Sequence, residues 1–397
     1  DIDAIGGTGT LTFASLVNNG VATDDIIIDQ SGGQAIAIAN ATTIDGDVTI
    51  TSDANVSFGS ITAGAVGDTV TITTTGAIEE LGTDVALDLV ATNAALSGTT
   101  GVGAAGTIEI DVDTLAAAGG DIDLNNTGAL DITTVGALSN VTSTGNVSIV
   151  NDAAITLTDD VAAAGTVLLT ADAGSILTAA DDAGAEVSGT TVTLNALNGS
   201  VGEMVGSGGE ALDIDASVAV NADVSTGGGD IFLDAVDDIP LGHLNAGAGT
   251  VTVNATASGN GMITDGNADD HTAAGQNITA ATVDLLADDA IGSIDTTGNN
   301  FFAGVNAGGN DALETTVTTF NSVVTQSAGS TINLQDSASP IFTAPGIDPG
   351  NAAQAGSALL TVAGNVTATD AVNFDAVGGG GDLSNIVATR ALITSGT

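Results

Sequence analysis

The chain has no cysteine, so neither a disulfide framework nor a thiolate metal site is available to it. It also has no tryptophan or tyrosine, and its eight phenylalanines are the only aromatic residues. A core must therefore come from Val, Ile, Leu and Ala, which suits narrow layered β packing better than a broad globular interior. A single Lys or Arg, Arg390, stands against 49 acidic residues, for a formal net charge of −48. Phosphate recognition relies on Lys and Arg, so nucleic acid and anionic membrane are excluded as direct partners. No apolar run reaches the eighteen residues of a membrane span, which argues against membrane insertion. The first residues, DIDAIGGTGT, have neither the basic nor the apolar region of a signal peptide, so either processing has removed one or, the favoured expectation, this is an internal piece of a longer chain.

Such an acid excess destabilises a compact state by self-repulsion unless salt or divalent cations screen it, so a salty or calcium-containing extracellular setting is expected. Disorder is the other consequence of high charge. Only 13% of residues are charged, however, against 43% hydrophobic, and the apolar alternation is persistent, so a folded chain is expected.

What the chain does have is a repeat. Short apolar alternations begin at Val167, Val192, Leu212, Ile231 and Val251, with successive spacings of 25, 20, 19 and 20 residues. Segments such as GDVTI from Gly46, NVSF from Asn55, TVTI from Thr69 and GNVSI from Gly145 state the same unit. Each is a tight Gly or Asn corner feeding a strand with period-two patterning. A period of about 20 to 22 residues predicts an all-β, right-handed parallel β-helix, about 18 coils long at roughly 21 residues each. GAIEELGTD, GSILTAADD and GMITDGNADD, with isoleucines 78, 176 and 263, add a longer period of four coils. That longer period admits an alternative of tandem immunoglobulin-like β-sandwich modules.

Residues 1–298 read as the β-helical stack. Residues 299–356, with Pro340, Pro345 and Pro349, read as an irregular segment or stack boundary, because proline removes ladder donors. Residues 357–397 read as further coils.

Within GSVGEMVGSGGEALDIDASVAVNADVSTGGGDIFLDAVDDIPLGHL, a VG element at Val201 and Gly202 leads to an apolar strand at Leu212 to Ile214. A GDIFL strand at Gly229 to Leu233 and a DIPLG turn at Asp238 to Gly242 follow. This order resembles the repeat region of filamentous-haemagglutinin-like bacterial exoproteins, large surface proteins with a right-handed parallel β-helix. The resemblance implies an extracellular, non-catalytic repeat and no catalytic residues.

Paired acids recur at corners, and calcium takes six to eight oxygen ligands from such groups. Asp181, Asp182, Asp237, Asp238, Asp288 and Asp289 are the candidate metal residues, against the simpler reading of solvated turns. Calcium is the one cofactor suggested, and no organic cofactor is. A polysaccharide-degrading or carbohydrate-binding β-helix is the rival reading. It is disfavoured because Arg390 is the one basic side chain available to a sugar cleft and Trp and Tyr are absent, and no GxSxG nucleophile occurs. His243 and His271, 28 residues apart, have no metal-ligand spacing. Asn-x-Ser/Thr sequons, for example at Asn55 and Asn198, fit turn preference in so Asn-rich a chain. The sequence therefore predicts a cation-stabilised adhesin stalk, surface-layer or extracellular filament element. It would self-associate and meet a host surface or glycan, and it would not be an enzyme.

Overall fold

A computed structural model describes residues 2–292 apart from 8, 21–23, 83–84, 180–183, 205–209 and 268–275. It also describes the strands Leu313–Thr325, Thr331–Asp336, Ile341–Phe342, Val366–Val377 and Ile386–Gly396. Side chains are described as far as residue 323. Most of the 299–356 segment thus lies outside the described residues. Two compact units are present, one of residues 1–180 with 186–190 and one of residues 181–185 with 191–397. The described residues contain no helix, and the strands stack as a parallel β-solenoid of about 11 turns.

In the first unit, three columns of inward side chains run through successive coils. One passes through Ile26, Val48, Val70, Ala94 and Leu115. A second passes through Ile36, Val56, Ile78, Val102, Ile122, Val147 and Val167. The third passes through Ala41, Ile61, Leu89 and Ile110. The second column is buried throughout. The cause is the pleat: in Val48–Ser52 the inward positions are Val48, Ile50 and Ser52, while Thr49 and Thr51 face outward. β-branched residues fit such half-buried strands, and each coil completes the core of the one beside it.

The second unit repeats this logic with Ile231, Val251, Val283 and Phe320 in one column and Leu233, Val253, Leu285 and Val323 in another. Every ladder between described strands in the two units, taken separately, is parallel, as in Val48–Ser52 on Thr69–Thr74 and Ile231–Ala235 on Thr250–Ala255. The antiparallel immunoglobulin-like alternative is thereby set aside.

The coil step is 22 residues from Val48 to Val70 and 20 from Val147 to Val167, as the sequence predicts. It lengthens to 32 from Val251 to Val283 and to 37 from Thr279 to Thr316, where the ladder carries a register shift after Val283. The turns are accordingly fewer than the 18 that a constant period implies. The four-coil period also dissolves: Ile78 belongs to the second column, whereas Ile176 stacks on Ile155, two residues before Leu157, which continues the first column from Leu115 through Ile132.

In the first unit an inward column passes from Ile110 to two amides, Asn126 and Asn151. Asn126 and Asn151 are fully buried, and Nδ2 of Asn126 donates to Oδ1 of Asn151 at 2.9 Å. Oδ1 of Asn126 accepts from the Val112 amide at 3.0 Å, and Nδ2 of Asn151 donates to the Ala154 carbonyl at 2.8 Å. Asn126→Ala leaves the Val112 amide and the Asn151 carbonyl oxygen without these partners, so a loss of about 2 kcal/mol is expected in urea unfolding.

Candidate functional site

The acids sit at corners because the backbone amide that follows a corner needs an acceptor, and Asp and Asn supply one across to the next coil. Asp25 Oδ1 accepts from the Asp47 amide at 2.9 Å, and Asp47 Oδ1 from the Thr69 amide at 2.7 Å. Asp121 Oδ1 accepts from the Asn146 amide at 2.7 Å, and Asn146 Oδ1 from the Thr166 amide at 2.9 Å. In the second unit, Asp230 Oδ1 accepts from the Thr250 amide at 2.6 Å. Asp53 works in the opposite direction, accepting from the Gly32 and Gly33 amides at 2.6 and 2.8 Å. These two amides hold its carboxyl below the usual carboxylate range. These five acids thus serve as struts between coils.

Of the residues suggested by sequence for metal binding, Asp181 and Asp182 lie outside the described residues. The other four come to one corner of the second unit. Asp237 and Asp238 precede Ile239, which stacks on Ile263, which in turn stacks on Ile291 beyond Asp288 and Asp289. Asp237 Oδ1 accepts from the Ser258 hydroxyl at 2.9 Å, and Asp238 Oδ1 from the Met262 amide at 2.9 Å. Burial pushes the Asp238 carboxyl up, the Met262 amide opposes this, and the charges of Asp237 and Asp289 add to the rise. Asp288 is 7% exposed, and its Oδ2 has no hydrogen-bond partner.

Among the described residues, three carboxylates converge in one place only, and sequence reading did not single it out. Oxygens of Glu80, Asp88 and Glu109 lie within 4.8 Å of one another. Like charges so close disfavour one another, and a proton or a cation between them relieves the repulsion. The signal was faint: Glu80 belongs to a paired-acid motif, but Asp88 stands alone, and its link to Glu109 is a coil offset of 21 residues. Burial pushes the Asp88 carboxyl up to about 7. The Glu109 amide pulls it down, and the Glu80 charge and the Glu109 side chain push it up again.

Two other features are chemically bland. Nδ1 of His243 lies 2.6 Å from the Gln276 carbonyl and its amide donates to Asn221 Oδ1 at 2.9 Å, so it serves as a corner link. His271 lies outside the described residues. A shallow groove of about 440 Å³ in the first unit is lined by Ser97, Thr99, Thr142, Thr144 and alanines 162–164, without an acid, base or aromatic ring. No protein family, curated protein or solved structure matches this chain.

Proposed function

We propose that the chain is a non-catalytic structural segment of a large bacterial surface or secreted protein, serving as adhesin stalk, surface-layer or extracellular filament element. The resemblance of residues 201–244 to filamentous-haemagglutinin-like repeats supports this reading. The observation that carries it is the use of the corner carboxylates: Asp25, Asp47, Asp121 and Asp230 accept amides of the neighbouring coil instead of converging on a cleft. A sugar-cleaving cleft needs two carboxylates facing an open substrate path, usually with aromatic platforms, and the chain has neither Trp nor Tyr. Calcium would neutralise the corner of Asp237, Asp238, Asp288 and Asp289, where Asp288 is buried.

The first test is electron microscopy with and without calcium. The filament reading expects end-to-end assembly, and monodisperse particles in both conditions overturn it. Calcium is also expected to raise the melting temperature, while a glycan array and a reducing-end assay stay silent. Release of reducing ends would favour the carbohydrate-active alternative.

A further inference from the structure

In the coils beneath it, the second and third strands are almost continuous: Val56–Phe58 is followed by Ile61–Ala63, and Ala35–Ile38 by Ala41–Thr43. After Ala77–Glu80 the chain instead makes an excursion, described at residues 81–82 and 85–88, before Leu89–Val90 resumes the stack. The return is fixed at Asp88. Its carbonyl accepts from the Ile61 amide at 2.6 Å, its own amide donates to the Glu109 carbonyl at 2.8 Å, and its Oδ2 accepts from the Glu109 amide at 3.2 Å. The residue is 2% exposed.

Two ionisable groups face it: Glu80, just before the excursion begins, and Glu109 in the coil beyond. The strand beneath, Ile61–Ala63, brings no ionisable residue, and Asp84 within the excursion lies outside the described residues. The described residues of the first unit include no Lys, Arg or His to balance the trio. Three ionised carboxylates at this spacing, one of them buried, repel one another and resist desolvation. A proton on the other oxygen of Asp88 removes one charge and lets that oxygen donate to the Glu109 carboxylate, while Oδ2 keeps the Glu109 amide.

We propose that a proton shared between Asp88 and Glu109 latches the 81–88 excursion onto the solenoid, and that its release as pH rises loosens this coil. The direction of the effect follows from linkage. The folded carboxyl titrates near 7, above the unfolded value of about 3.9. The latch therefore contributes fully below about pH 4, weakens between about pH 4 and 7, and is lost above that range. Repulsion among the other acids also grows with pH, so the latch is read as a difference between variants. In Asp88→Asn the side-chain amide takes the place of the proton, donating to Glu109, while the carbonyl oxygen accepts the Glu109 amide at any pH.

The experiment is thermal unfolding of the full chain in EDTA at pH 5 and pH 8, with Glu109→Gln as a second variant. At pH 8 Asp88→Asn is expected to melt about 5 °C above wild type, and Glu109→Gln is expected to shift the same way. At pH 5, where wild type still keeps part of the latch, the gap to Asp88→Asn is expected to be smaller than at pH 8. Hydrogen exchange at the amides of Asp88 and Glu109 should lose protection, corrected for intrinsic rates, between pH 6 and pH 8 in wild type but not in Asp88→Asn. If both variants melt at or below wild type at both pH values, Asp88 is only an acceptor for the Glu109 amide and the latch is overturned. An equal loss of protection throughout the stack overturns it too.

Discussion

Replacing Phe58 by alanine is expected to lower the melting temperature of the first unit by about 10 °C. Phe58 is fully buried and is one of the two largest side chains in that state, the other being Phe320. It stacks over Ile38 in the coil below and pairs in register with Glu80 in the coil above. Phe→Ala at such a site costs about 3–5 kcal/mol, transfer and cavity terms together. The cavity cannot collapse readily here, because the backbone on every side is held in ladders with a fixed strand spacing of about 4.8 Å. At about 2–4 °C per kcal/mol for a unit of this size, the shift is about 10 °C. Urea unfolding should show a lower midpoint with an unchanged slope, the mark of a stability change without a change in exposed surface. A drop of only 1–2 °C would mean that the coil repacks around the gap.

Two glycines with the same backbone angle should respond to alanine very differently. Gly202 and Gly228 both have φ of +67°, where a Cβ costs about 1–2 kcal/mol through its contact with the carbonyl oxygen. At Gly228 an added Cβ meets nothing within 4 Å. At Gly202 it would lie 2.3 Å from the Phe232 carbonyl oxygen and 3.0 Å from the Leu212 amide nitrogen, so backbone on the adjoining coil must move. Gly228→Ala is therefore expected to cost about 1 kcal/mol, and Gly202→Ala about 3 kcal/mol or more, by denaturant unfolding. Equal costs would show that the corner at Gly202 adapts without disturbing its neighbour.

Strands were legible in the sequence wherever the pleat alternates cleanly. GDVTI, NVSF and TVTI announce the strands Val48–Ser52, Val56–Phe58 and Thr69–Thr74. What a single sequence does not carry is phase around the coil. Leu212 and Ile231 look like successive starts of one repeat, but Leu212 pairs with Leu233, two residues further on. Corners are the reason: their lengths vary, so residues one period apart need not share a column. The same freedom hid Asp88, whose partners come from the strand before its excursion and from the coil beyond. The corner acids were readable as turn residues, but their amide partners depend on register and could not be assigned before it was known.

The excursion at residues 81–88 has a consequence for how such a chain can change. Leu89 rejoins Ile61 in register although 28 residues separate them, whereas Ala41 and Ile61 below are 20 apart. The ladder registers where a strand lands and is indifferent to the length of the path that brought it there. A stack of this kind can therefore accept foreign peptides at its corners, and acquire or shed a recognition loop, while its interior columns stay as they are. The solenoid is in that sense a carrier whose cargo can evolve separately from its frame.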